Sequence, residues 1–179
     1  FSAQGQEAYL QPTRTQQHSV FVLEEYQWRQ VRWQAAWRYD QQTVKALTAG
    51  QTRKHHGQSA SLGAVWGFAP GWQATASASH AVRLPSAQEL FANGLHMATN
   101  SWEVGNSHLR KERSNALDIG LRKTAGATTW SANVYHHRIQ GYIYGRTVNA
   151  HEGFLLQHYG QADARFTGIE AQVRQRLNR

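Results

Sequence analysis

The chain has no cysteine, and its 179 residues hold no apolar run near the length of a membrane helix. The first absence excludes a disulfide framework and any thiolate metal site. The second excludes a helical membrane span, but not a strand-based one, whose alternating residues escape hydropathy averaging. The opening stretch FSAQGQEAYL lacks both a basic region and an apolar core, so it does not read as a signal peptide. No phosphate loop, dinucleotide fingerprint or nucleophile–base–orienter set is present, which disfavours an enzyme. The formal net charge of +8 raises the question of nucleic acid. The Lys and Arg are scattered, however, and form no basic block interleaved with aromatics, so no nucleic-acid partner is expected.

What the sequence does have is a period of two. WQATASASHAVRL sets Trp72, Ala74, Ala76, Ala78, His80, Val82 and Leu84 against Gln73, Thr75, Ser77, Ser79 and Arg83. The same alternation groups Ala60, Leu62, Ala64, Trp66 and Phe68, then Val31, Trp33, Ala35, Trp37 and Tyr39, then Leu117, Ile119 and Leu121. Helical spacing does not fit these segments. The reading is an all-β, antiparallel up-and-down chain of about seven strands, near 16–28, 31–45, 58–69, 72–84, 113–124, 128–145 and 155–177. In NVYHHRIQGYIY the alternation slips, since Val134 and Ile139 cannot share a face; a bulge is expected at His136 to Arg138.

Connections alternate in length. Short turns fall at Arg29-Gln30, Ala69-Pro70-Gly71 and Ala125-Gly126-Ala127, and long loops near 46–57, 85–112 and 146–154. Trp28, Trp33, Trp66, Phe68, Trp72 and Trp130 gather at the short-turn end. Short turns at one end with an aromatic girdle fit part of a transmembrane β-barrel, apolar side to lipid and polar side to an enclosed lumen. The alternative is a soluble all-β ligand-binding module, for instance a carbohydrate-binding one, in which the Trp residues pack across strands. Glu24, Glu25 and Asp118 read as ordinary lumen carboxylates, and His80 as a lipid-interface or packing residue.

The stretch RLPSAQELFANGLHMATNSWEVGN, residues 83–106, is a loop far longer than a hairpin needs. Pro85 ends the preceding strand, Ser86 and Glu89 can form a capping box, Leu90 and Phe91 give the short helix an apolar side, and Asn93-Gly94 is expected to stop it. Arg83, Glu89 and Glu112 read as a loop-bracing cluster. Together with Glu103, Gly105, Asn106, Leu109, Asp118, Gly120 and Leu121, and with Tyr142-Ile143-Tyr144 and ADARFTGIEAQV downstream, these residues resemble the late-barrel signature of TonB-dependent outer-membrane receptors. The wording ANG-x-H-x-AT and QADARFTGIEA is most similar to the zinc- and copper-uptake branch.

That resemblance implies localisation in the outer membrane of a Gram-negative bacterium, contact with its lipid, and energised uptake of a metal ion or metal chelate, zinc favoured. It also implies coupling to the inner-membrane TonB complex through a plug that this stretch does not contain. The whole of 1–179 then reads as one partial barrel domain, the later strands of a larger receptor. No cofactor is expected; zinc would be cargo. Open strand edges would let the isolated piece form a homo-oligomer. Ten histidines are present, and His55, His56, His96, His108 and His151 fall in or beside the long loops, where imidazoles could capture metal. None shows tight ligand spacing, so surface histidines that merely tune charge are the competing explanation.

Overall fold

The computed structural model of the chain describes residues 9–151 and 153–177. Seven long strands make up most of it: β1 (Thr13–Trp28), β2 (Val31–Ala46), β3 (Thr52–Ala69), β4 (Trp72–Arg83), β7 (Glu112–Lys123), β8 (Thr128–His151) and β9 (Phe154–Gln175). Between β4 and β7 the chain folds back on itself, with a five-residue helix α1 (Ala87–Phe91) and two short strands, β5 (Asn93–His96) and β6 (Ser101–Val104). The nine strands are hydrogen-bonded into one sheet, in the order β1-β2-β3-β4-β7-β8-β9-β6-β5. The long strands run up and down antiparallel, while β6 joins β9 in parallel.

The register turns the period-two pattern into rows across the wall. One row runs Tyr26, Trp33, Ala64, Ala76, Ile119, Val134 and Ile169, each the cross-strand partner of the next. On the same face and one rung nearer the short turns are Trp28, Val31, Trp66, Ala74, Leu121, Ala132 and Ala171. The large side chains of these rows are exposed, Ile119 at 56% and Ile169 at 74%. A contiguous apolar face this broad belongs against lipid rather than water. At its lower margin Trp66, Phe68, Trp72 and Trp130 form a chain of ring contacts, with successive centroids 5.4, 6.2 and 5.6 Å apart. The opposite face carries Gln34, Ser61, Ser77, Asp118 and Glu170, and there His137 reaches Asp118. Glu24 departs from the lumen assignment, because its partner Ala35 lies in an outward row.

Two connections differ from expectation. The loop placed near 46–57 shrinks to 47–51, and most of the one placed near 146–154 is taken up by strand, because β2, β3, β8 and β9 continue past the apolar band. RKHHGQS is polar on both faces, so its alternation vanishes while the backbone ladder persists, and in GRTVNAH the pairing register shifts between Thr147 and Asn149. The bulge in β8 lies between Ile139 and Tyr142 rather than at His136 to Arg138, and Gly141 there has φ 66. Only glycine adopts that geometry at little cost, which fixes the extra residue at this point. Val134 and Ile139 do fall on opposite faces, five regularly paired residues apart.

Candidate functional site

The loop of residues 84–111 lies on the polar face of the wall and is built as a small folded unit. Pro85 is fully buried, and its carbonyl accepts a 2.7 Å hydrogen bond from Gln42 Nε2 of β2. Ser86 caps α1: its hydroxyl accepts from the Glu89 amide, and Glu89 returns a carboxylate to the Ser86 amide at 2.7 Å. The helix presents Leu90 and Phe91 to Val44, Ala46, Leu109 and Ile143, forming the main apolar core. Each such side chain contributes about 1.5–3 kcal/mol when fully removed from water. The helix ends at Ala92, whose extended backbone leads straight into β5, so Asn93-Gly94 is not the glycine stop expected for it. The Asn93 amide donates to the Tyr9 carbonyl at 2.7 Å, and that contact draws the chain into the sheet instead.

Three ionic side chains close the neck of the loop. Arg83, the last residue of β4, donates to both oxygens of Glu112, the first of β7, at 2.7 and 2.8 Å. It also reaches Glu89 at 2.9 and 3.0 Å. A bidentate guanidinium–carboxylate pair fixes orientation as well as distance.

Deeper in the loop, Glu103 on β6 is 2% exposed and accepts from four side chains. Gln88 Nε2 and the Tyr159 hydroxyl reach Oε2 at 2.7 and 2.9 Å, and His96 Nδ1 and Thr99 reach Oε1 at 2.6 and 3.2 Å. Burial alone would raise the Glu103 pKa; the hydrogen bonds from His96, Gln88 and Tyr159 outweigh it and hold the carboxyl below its ordinary range. Gly105 then passes so close to α1 that a Cβ would sit 2.6 Å from the Phe91 amide nitrogen. Asn106 completes the turn: its amide donates to the Glu89 carbonyl, and its side chain accepts from the His108 amide.

The described candidate metal histidines do not converge on one point. His55 lies on β3, where Nε2 faces the Leu109 carbonyl at 3.2 Å and Nδ1 is buried without a partner. The neighbouring side chain of His56 is exposed, and both histidines border the same cavity beside Lys54, Arg110 and Lys111. His96 is held by Glu103 and stacked on Tyr9, with ring centroids 4.2 Å apart. His108 is exposed at the loop's end, and the side chain of His151 lies outside the described residues. Among the described residues no group of three or more His, Cys, Asp or Glu is placed to hold a metal ion.

The loop's most connected partners were not legible as a motif. Gln88 and Tyr159 meet at Glu103 from 71 residues apart. Gln161 bonds the backbone of Arg110 in both directions and also the Gly141 carbonyl at 2.7 Å. Only the ADARFTG neighbourhood pointed there. Chemically the arrangement is a preorganised scaffold: polar groups are spent on one another, so it shapes the polar face and presents the Met97–Asn100 turn.

Residues 1–178 match the family described as TonB dependent receptor-like, beta-barrel. Among solved structures, the chain is similar to the copper transporter OprC, with 21% identity and TM-score 0.78, covering 93% of this chain and 27% of that one. It is similar to the Serratia marcescens hemophore receptor HasR, solved with hemophore HasA and heme, at 17% identity and TM-score 0.74, covering 96% and 33%. It also resembles the FrpB iron transporter of Neisseria meningitidis at 16% identity and TM-score 0.68, covering 96% and 25%. The chain thus spans a third or less of each of these proteins, and at such identities the likeness carries the fold.

Proposed function

The chain belongs to the TonB-dependent receptor β-barrel family of Gram-negative outer-membrane proteins, and we propose that it forms part of the wall and one folded external loop of an energised importer of a metal ion or metal chelate, with zinc the favoured cargo. The observation that carries this reading is the two-faced wall. One face is apolar and uncovered, the other polar and overlaid by a loop locked through Arg83, Glu103 and Gly105. A rigid loop standing over a lumen is suited to shaping a mouth through which cargo passes. The soluble carbohydrate-binding alternative is not favoured, because it leaves the outward apolar rows in water.

Zinc is preferred over other metals from the ANG-x-H-x-AT and QADARFTGIEA wording and from the histidines near the loop. His55, His56, His96, His108 and His151 act in this reading as single donors, completed by groups elsewhere in the receptor. The energy-transducing partner is the TonB complex, engaged through a plug outside this stretch. Separated from the rest of a barrel, the sheet pairs with copies of itself through its β1 and β9 edges.

The test is uptake of radiolabelled zinc by cells whose chromosomal copy is replaced by the full receptor, with and without an intact TonB complex, and with His55→Ala, His96→Ala and His108→Ala variants. Energy-dependent zinc uptake weakened by at least one variant is expected. Uptake of an iron chelate or haem with no zinc uptake would remove the zinc assignment, and energy-independent uptake would remove the importer reading itself.

A further inference from the structure

Above the apolar band, the outward face changes from grease to unopposed positive charge. The rung Ala78–Leu117–His136–Thr167 marks the transition, with His136 bonded to Thr167 at 2.7 Å. The next rung is His80–Asn115–Arg138–Arg165, and beyond it Arg113 stands opposite Gln140. Arg138 and Arg165 are direct cross-strand partners, and Arg113 is diagonal to Arg138. Like charges placed directly opposite one another destabilise a sheet. Among the described residues, no carboxylate pairs with Arg113, Arg138 or Arg165 to relieve this.

Immediately beyond the rung, Arg113 and Gln140 border a cavity of about 500 Å³ whose other cations are Lys54, Arg110 and Lys111. Among the described residues its one acid is Asp163, engaged by the Gly141 amide at 3.0 Å. The ion pairs of Arg83 with Glu112 and of Arg38 with Asp40 lie on the opposite, polar face of the wall. Neither pair supplies counter-charge to this level of the outward face, where three guanidinium groups share two adjacent rungs.

We propose that Arg113, Arg138 and Arg165, with the basic cavity next to them, hold a phosphate of a glycolipid headgroup in the external leaflet. Guanidinium groups are suited to bidentate contact with phosphate, and juxtamembrane cations gain from anionic headgroups. The choice of a lipid over a free anion rests on position. Two residues along a strand span about 7 Å, so acyl chains attached to a phosphate at the Arg138 rung run down over Leu117, Val134, Ile119 and Ile169. The proposal depends on the outer-membrane placement of this face and not on the imported cargo, so uptake and lipid binding fail separately.

The test uses the full receptor purified in mild detergent and native mass spectrometry to count retained lipid. The probes are a bisphosphorylated lipid A-type glycolipid, its dephosphorylated counterpart, and inorganic phosphate as competitor. Wild type is expected to retain the phosphorylated lipid about tenfold better than the dephosphorylated one, and R113Q/R138Q/R165Q to lose that preference. The single variant R138Q is expected to fall between them. Removing repulsive charges should not impair folding, and heat-modifiable gel mobility checks that. Equal retention of the two lipids, an unchanged preference in the triple variant, or displacement of the lipid by millimolar inorganic phosphate would each overturn the proposal, the last by identifying a free-anion site.

Discussion

Replacing Gly105 with alanine should unlock the folded loop while leaving the wall intact. The added Cβ would lie 2.6 Å from the Phe91 nitrogen and 2.7 Å from both the Ala92 nitrogen and the Leu90 carbonyl carbon. All three obstacles are backbone atoms, so no side-chain rotation relieves the clash. The turn must instead withdraw from α1 by several tenths of an ångström or more. That stretches the Gly105 N–H to Ala92 carbonyl bond of 2.7 Å and the Asn106 N–H to Glu89 carbonyl bond of 2.8 Å. Two weakened hydrogen bonds cost about 1 kcal/mol each, and overpacking adds about 1–3 kcal/mol. A loss of about 3–5 kcal/mol in local opening accelerates amide exchange roughly 100- to 4,000-fold. Hydrogen exchange read by mass spectrometry on the full receptor separates loop peptides from those of β7, which should not change. Gly160→Ala, where an added Cβ meets nothing within 4 Å, is the matched control. If Gly105→Ala left loop exchange within about threefold of wild type, the close approach would not be what holds the loop.

Ile119→Lys should destabilise the barrel by about 2–4 kcal/mol in reversible unfolding from liposomes, the range for lysine at mid-bilayer on a lipid-facing strand; no measurable change would mean that this face does not meet hydrocarbon. Glu103→Gln puts an amide N–H₂ among the donors of Gln88, Tyr159, His96 and Thr99 and should cost about 1–3 kcal/mol of loop stability, read by limited proteolysis of the 97–100 turn. Because the Glu103 pKa is lowered on folding, its stabilisation is complete above the ordinary Glu value of 4.5 and fades as pH falls through the lower folded value. The proteolysis profile of wild type should steepen in that acid window, whereas the same profile in Glu103→Gln should show no such Glu103-linked step. Tyr159→Phe deletes one hydrogen bond to Glu103 and should raise exchange at Leu155–His158 about tenfold, with β8 amides opposite Gly168 and Glu170 unaffected.

Seven strands and their outward faces were legible because lipid imposes a strict rule: along Trp72 to Ala78, or Leu117 to Leu121, every second residue must be apolar. Outside the bilayer that rule lapses. Around Lys54 to Gln58 both strand faces are polar, so only the hydrogen-bond ladder, invisible in sequence, marks the continuation of β3. Along Arg146 to Ala150 the ladder of β8 runs on through a register shift that the sequence does not display. The capping box at Ser86 and Glu89 and the cluster of Arg83, Glu89 and Glu112 involve local spacing or strand ends, which sequence displays. Glu103 is different. Nothing in SWEVGN says that its carboxylate is buried, since two of its four donors, Gln88 and Tyr159, arrive from outside the β5–β6 hairpin. The Arg138–Arg165 opposition is equally hidden, because it depends on the register set by the Gly141 bulge and on pairing across 27 residues.

The placement of β6 bears on how such a wall can be continued. A strand edge left bare is a template for unwanted pairing, and β9 is long, with 22 residues. By pairing in parallel with Leu155–His158, β6 occupies the outer end of that edge. Any further strand that extends the sheet past β9 must therefore pair below His158, along the stretch that faces the membrane. A four-residue parallel ladder is weak by itself. The Glu103–Tyr159 hydrogen bond lies one residue beyond its end, and Gln88 ties the same carboxylate to α1. The loop core and the edge cover are consequently one unit. Energy gained by burying Leu90 and Phe91 also keeps β6 against β9, so a loop that shapes the polar face at the same time limits where the barrel can grow.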